Sequence, residues 1–270
     1  MQLTIIIPVY NSQEFIANVL LSLKLQTNKN FKVIFIDDGS TDNTLNILNT
    51  VFEDSQNVKI YTKKNGGPAS ARNFGISLVD TEYFTFLDPD DAISNNYVDS
   101  ILSNLNTDRT IYICAAYIKE NLPKYMNDPL YINKSPSQGI NKNLTPLDIN
   151  RVVFKTSIIK SNNIKLKNIS HYEGELFCID YISAIGNNEI LVLKDCYHLH
   201  YQRPGSLTRN GYYNQIKRFT ESLPILESYI DKYNEDINKI ILSFIKNTKQ
   251  WTKEIQSELP TTLKGGSFAY

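Results

Sequence analysis

Residues 3–42 read LTIIIPVYNSQEFIANVLLSLKLQTNKNFKVIFIDDGSTD, and this stretch decides the fold. Leu3–Val9 is an unbroken, largely β-branched apolar run, the pattern of a strand buried on both faces. Between Ser12 and Thr27, the apolar residues Phe15, Ile16, Val19, Leu20 and Leu23 share one helical face. Phe31–Ile36 then repeats the strand pattern. A strand, a helix and a second strand in close succession make a right-handed βαβ unit with parallel strands.

The alternation continues outward. A helix is expected over Asp42–Phe52, a short strand over Lys59–Tyr61 and a helix over Ala69–Val79. A strand at Tyr83–Leu87, a helix at Asn95–Leu105 and a strand at Thr110–Ala116 follow. The pattern predicts an α/β domain with a largely parallel sheet and helices on both faces. Residues 117–150 are rich in Asn, Lys and Pro, read as loops over the sheet. Periodicity resumes with a strand at Val152–Lys155, helices near Ser157–Ser161 and Glu175–Ile185, and strands near Ile190–Leu193 and Tyr197–Tyr201. After Gly211 two amphipathic helices, Tyr212–Tyr233 and Asp236–Ile255, are expected to form a hairpin, with Pro224 as a kink. The expected division is 1–210 (halves 1–116 and 117–210), a helical extension 211–257 and a tail 258–270.

The chain has 270 residues, 41% hydrophobic and 21% charged, enough for one large domain with an appendage. Lys+Arg and Asp+Glu both total 28, so no basic surplus points to nucleic acid or to a polybasic membrane patch. Cys114, Cys178 and Cys196 are widely spaced and form neither a disulfide framework nor a zinc pattern. No apolar stretch approaches the length needed to span a bilayer. A cytoplasmic location, extending at most to the inner face of the membrane, is expected.

In an open α/β sheet, ligands bind beyond the carboxyl ends of the strands. Four polar, turn-forming clusters fall at four such ends: Pro8-Val9-Tyr10-Asn11, Asp37-Asp38-Gly39-Ser40, Asn65-Gly66-Gly67-Pro68 with Arg72 beyond it, and Asp88-Pro89-Asp90-Asp91. Each of the first three has a plain alternative in turn or helix-cap chemistry. The fourth is more telling. Three carboxylates in four residues repel one another unless solvated, paired or bound to a cation, and such hard oxygen ligands suit Mg²⁺ or Mn²⁺. An acidic helix N-terminus is the main rival.

The succession IIIPVYN, FIDDGSTDNT, KNGGPASARNFGI and YFTFLDPDD resembles the family 2 inverting glycosyltransferases of GT-A fold, DxD-containing and of bacterial polysaccharide type. The later segments KTSIIKSNNIKL and YHLHYQRPGSLTR extend the resemblance to about residue 210. It implies a GT-A fold, a Rossmann-like mixed sheet flanked by helices, here with the added hairpin. It implies a nucleotide-sugar donor (a UDP-sugar first), a glycan or lipid-linked acceptor, and Mn²⁺ or Mg²⁺ as cofactor. Pro8, Tyr10 and Asn11 would line the nucleoside pocket, with Asp38, helped by Asp37, accepting a hydrogen bond from the base. Gly67 would let the backbone approach the donor, Arg72 would face ribose or phosphates, and Arg203 would pair with the diphosphate. Asp90 would be the metal ligand, Asp88 would contact ribose or a metal-bound water, and His198 or His200 would complete the metal shell.

The general base departs from the pattern. The family carries Glu-Asp at a helix start, and the matching stretch here reads His171-Tyr172-Glu173-Gly174-Glu175-Leu176-Phe177, with Gly174 on the catalytic aspartate. Glycine cannot accept a proton. Three readings stay open: Glu173 or Glu175 serves as base, the loop is rearranged, or the chain is impaired and binds nucleotide-sugar or glycan without turnover. Both glutamates also suit a plain helix-start role. A sugar-phosphate nucleotidyltransferase is a further alternative, but the Pro8-Val9-Tyr10-Asn11 turn lacks the Gly-rich, basic loop those enzymes carry. The hairpin's apolar faces are expected to pack on the transferase domain or on a second copy of the chain.

Overall fold

All seven residues of β1 (Leu3–Val9) are buried. Because side chains alternate across a strand, Leu3, Ile5, Ile7 and Val9 enter one core while Ile6 enters the other. Fully burying each such side chain contributes roughly 1.5–3 kcal/mol, so this strand anchors both layers. The computed structural model describes residues 1–105, 110–118, 147–169, 171–186, 190–201 and 212–258.

Around β1 the elements follow in order: α1 (Ala17–Lys24), β2 (Phe31–Asp37), α2 (Thr44–Phe52), β3 (Val58–Thr62), α3 (Pro68–Leu78) and β4 (Tyr83–Phe86). After them come β5 (Ala92–Ile93), α4 (Tyr97–Leu102), β6 (Thr110–Ile118), a 3₁₀ turn (Ile149–Arg151), β7 (Val152–Lys155) and α5 (Thr156–Ser161). Helix α6 (Glu173–Ile185), β8 (Ile190–Tyr201), α7 (Tyr212–Glu227) and α8 (Glu235–Glu258) complete the described elements. The sheet order is β3-β2-β1-β4-β7-β6-β8-β5.

The sheet is mixed, with most of its pairing parallel, including the long pairing of β6 with β8. Strands β1 to β4 pair in parallel, but β7 runs antiparallel to both β4 and β6, and β5 runs antiparallel to β8. β5 has only two residues, too few for any periodicity to mark it. The two expected strands near 190 and 200 are one strand, β8, whose pairing with β6 slips between Ile113 and Cys114. Most of the loop region expected over 117–150 lies outside the described residues.

Helix α3 sits very close to β1. A Cβ on Gly75 would come within 2.5 Å of Ile6 Cγ2, so only glycine permits this approach. The close seat carries the N-terminus of α3 to the carboxyl end of the sheet. Pro8, in mid-sheet, is tolerated because pairing of β1 with β4 stops at Ile6–Phe86, where its missing N–H would otherwise have been needed.

The chain divides into two compact units, Met1–Asn168 with Gly174–Gln202, and Ile169–Glu173 with Arg203–Tyr270. The second holds α7 and α8. The first of these helices ends at Glu227 rather than Tyr233, running on past Pro224, and a turn with Asp231 at φ 60° leads toward the second. Leu226, Tyr229, Ile237, Ile241 and Ile245 are buried. Tyr172 joins this core, stacked on Phe244 at 4.9 Å with its hydroxyl 3.0 Å from Thr248 Oγ1. Ser222 Oγ donates to the His171 carbonyl at 3.1 Å.

Candidate active site

The loops after β1 and β2 are laced together. Asn11, at φ 46°, donates its N–H to Ser40 Oγ (3.0 Å) and accepts from Thr41 N at Oδ1 (2.8 Å). Tyr10 stands 49% exposed beside it, an open aromatic face at the strand end, while Pro8 is buried within β1. Asn11 thus positions a loop as well as lining one.

Asp37 and Asp38 end β2 and are both buried. Asp37 Oδ1 accepts from Ser40 N at 3.2 Å, while Oδ2 is a buried acceptor with no hydrogen-bond partner. Asp38 is enclosed by the next loop: Gly67 N donates at 2.7 Å, Gly66 N at 3.1 Å, and the Lys63 ammonium pairs with Oδ1. Gly67, at φ 85°, turns its N–H toward that carboxylate as α3 begins at Pro68. The expected base-binding group, Asp38, is therefore held in place chiefly by the Lys63–Gly67 backbone and ammonium.

One turn into α3, the buried Arg72 donates through Nη2 to Asp88 Oδ1 at 2.7 Å. The other oxygen of Asp88 accepts from Asn150 Nδ2 at 2.8 Å. Two elements far apart in sequence thus clamp the first aspartate of the acidic run. The carboxylates of Asp88, Asp90 and Asp91 come together, each offering an oxygen within 4.8 Å of the others. Three hard oxygen donors at this spacing fit Mg²⁺ or Mn²⁺.

Asp91 is 1% exposed and is the hub of the site. Its Oδ2 faces His198 Nε2 at 2.7 Å, and His200 Nδ1 lies 3.0 Å from Oδ1. Burial opposes charge on Asp91, but the facing imidazoles overcome it and hold the carboxyl well below the usual range. Burial likewise opposes charge on His198, yet the Asp91 carboxylate carries its pKa up to about 9. The imidazolium then donates from both nitrogens, since Nδ1 lies 3.0 Å from the Asn150 carbonyl. His198 is turned wholly toward protein oxygens, which makes it a support for Asp91. His200 has a side chain 48% exposed, and its pKa is raised by the hydrogen bond to Asp91.

The site thus brings together Asp38, Gly67, Arg72, Asp88, Asp90, His198 and His200, all named from the sequence. It adds two residues whose roles the sequence did not assign. Asp91 was legible only as part of an acidic run, and Asn150 carried no motif. Glu173 and Glu175 stand in the first turn of α6, both half-buried, on either side of the buried Gly174. Arg203 lies outside the described residues.

Residues 4–164 match the sequence profile of glycosyl transferase family 2. The chain belongs to that family. This family 2 chain is 31% identical over 187 residues to an uncharacterized glycosyltransferase of Haemophilus influenzae, covering 68% of this chain and 72% of that protein. It is 29% identical over 190 residues to a teichoic acid poly(glycerol phosphate) polymerase of Staphylococcus epidermidis, covering 68% of this chain but 26% of that protein. The chain therefore spans about a quarter of the polymerase.

Among solved structures, the family 2 chain superposes on S. aureus TarS residues 1–349 in complex with UDP-GlcNAc. The TM-score is 0.75, at 22% identity, covering 97% of this chain and 77% of the other. It also superposes on a mannosyltransferase of Pyrobaculum calidifontis in complex with GDP-Man and Mn²⁺, with TM-score 0.64 at 14% identity, covering 98% and 76%. At such identities the likeness speaks for the fold, which is the GT-A glycosyltransferase fold. Among the described residues no helix is long and apolar enough to cross a membrane.

Proposed function

We propose that this family 2 glycosyltransferase moves a sugar from a nucleoside-diphosphate donor to an acceptor hydroxyl with inversion, in the synthesis of a bacterial surface glycan. The observation that carries this reading is the Asp88, Asp90 and Asp91 cluster set against the buried Arg72 guanidinium. A leaving nucleoside diphosphate develops negative charge, and a divalent cation with a guanidinium is the pairing that stabilises it. The relatives' names, a teichoic acid polymerase and a poly(ribitol-phosphate) β-glucosyltransferase of Bacillus spizizenii, favour a surface polymer as acceptor. The UDP-GlcNAc held by the TarS structure favours a UDP-sugar as donor.

In this reading Pro8, Tyr10, Asn11, Asp37 and Asp38 bind the nucleoside, with the unpartnered Asp37 Oδ2 ready to accept a base N–H. Gly67 admits the donor, and Arg72 and Arg203 face its phosphates. Asp88 and Asp90, joined by Asp91 and His200, would hold Mn²⁺ or Mg²⁺, which when bound supplies Lewis-acid stabilisation of the departing diphosphate. His198 keeps Asp91 ionised and oriented. A single displacement also needs a group to take the acceptor's proton, and position 174 has none.

The test is UDP release from a panel of UDP-sugars with Mn²⁺, alongside calorimetric binding of UDP. Turnover in the wild type that falls on the order of 10³-fold in Asp90→Ala supports the transferase. Tight UDP binding without turnover on any acceptor would instead establish a binding module, the reading that Gly174 motivates.

A further inference from the structure

The place where the family's aspartate would root is filled by a neighbour. A Cβ built on Gly174 would stand 3.1 Å from Ile149 Cγ2 and 3.3 Å from Ile149 Cβ. The Ile149 side chain of the 3₁₀ turn thus packs directly against the start of α6, and the residue that precedes Ile149 is an aspartate. Asp148 is exposed, and its carboxylate is oriented by the turn itself, with Asn150 N donating to Oδ1 at 3.1 Å. The same turn reaches the donor side, because Asn150 Nδ2 holds Asp88 and the Asn150 carbonyl holds His198. One short segment thus carries a solvent-facing carboxylate, a side chain packed on Gly174 and a clamp on the acidic cluster.

The charge of Asp148 is felt on both sides of this junction. It contributes to raising the thiol of Cys178, one turn along α6 from Gly174, after burial as the main cause. It also adds to the raised pKa of His198, behind the nearer Asp91. The turn that bears Asp148 touches Gly174 through Ile149 and Asp88 through Asn150, which sets it between the start of α6 and the acidic cluster.

We infer that Asp148 is the general base of this transferase, supplying from the 3₁₀ turn the carboxylate that α6 lacks at position 174. The inference rests on the glycosyl-transfer reading above. In the step, the acceptor hydroxyl oxygen forms a bond to the anomeric carbon as the bond from that carbon to the donor phosphate oxygen breaks. The nucleoside diphosphate leaves with the electron pair, and the hydroxyl proton passes to Asp148, which becomes a neutral carboxylic acid. With water in place of the acceptor, the same transfer gives donor hydrolysis.

The experiment compares wild type, Asp148→Asn, Asp148→Ser, Glu173→Gln and Glu175→Gln in the full chain with UDP-N-acetylglucosamine and Mn²⁺. It measures UDP release for turnover and calorimetric UDP affinity for the donor site. Both Asp148 replacements retain a side-chain oxygen able to accept from Asn150 N, so the turn and its hold on Asp88 survive. The expected result is a loss of about 10²–10⁴-fold in kcat with UDP affinity within threefold of wild type. Turnover within threefold of wild type in Asp148→Asn overturns the assignment. So does a loss that appears in Glu175→Gln or Glu173→Gln and not in Asp148→Asn. A wild type that neither binds UDP nor releases it from any UDP-sugar would count against the transferase reading itself, a separate result from either of these.

Discussion

The donor side and the start of α6 are built in opposite ways. On the donor side three carboxylates are held by groups from elsewhere in the chain. Asp38 is held by the Lys63–Gly67 loop, Asp88 by Arg72 and Asn150, and Asp91 by His198 and His200. At α6 the corresponding position carries no side chain at all, and hydrocarbon closes over it. The donor side is organised by charge pairing across distant segments, and the junction at α6 by close packing. This contrast teaches that pairings within the chain itself order the acidic cluster, while position 174 is governed by packing and offers no group to take a proton.

The largest effect expected from breaking this contrast is at Asp91. Asp91→Asn removes the carboxylate facing a buried imidazolium, and removing one member of a buried pair costs about 3–5 kcal/mol. Because His198 can shed its proton, the loss should fall at the lower end, near 3 kcal/mol, measured by urea unfolding. A loss below about 1 kcal/mol would mean that the pair does not organise the site.

Gly174→Ala probes the packed side. The added Cβ at 3.1 Å from Ile149 forces the turn or the helix to shift, with a destabilisation of about 1–3 kcal/mol. The double variant with Ile149→Ala should show less than the sum of the two single losses, since it opens the space the new methyl needs. Strict additivity would show that the junction is loose.

The smallest effect is the pH response of the donor side. The pKa of His198 stands above its ordinary 6.5, at about 9, so its contribution to stability is full below pH 6.5 and fades as pH rises through 9. The pKa of Asp91 stands below its ordinary 3.8, so its contribution is full above that value and fades as pH falls further. Between pH 7 and 9.5 the metal-free wild type should therefore lose a few degrees of Tm that Asp91→Asn does not lose. Parallel curves for the two proteins would detach His198 from the site's stability.

Much of this was legible because it is local. Leu3–Val9 and Val33–Ile36 are nearly unbroken apolar runs, and such runs mark strands buried on both faces. The turn residues that follow each strand stay beside it in space, so four loops could be gathered at one edge of the sheet from sequence alone. Strand β8 was less legible, because the polar Lys194-Asp195 interruption reads as a break. In the fold it is the site of a register slip, with Asp195 Oδ2 accepting from Ser100 Oγ at 2.6 Å. Asn150 could not be read at all, since its partner Asp88 lies 62 positions away.

By itself the sequence determined the strand–helix alternation, the four polar strand ends and the absence of a carboxylate at position 174. Each follows from residue type and short-range periodicity, which need no knowledge of long-range contacts. Only the tertiary structure decided which atoms those side chains face. Antiparallel β7 carries its preceding 3₁₀ turn to the end of β4, which is why Asn150 meets Asp88 and Ile149 covers Gly174. The physical reason is that buried polar groups and close-packed glycines must be matched by whatever segment the sheet topology delivers, and that delivery is not written in any local pattern.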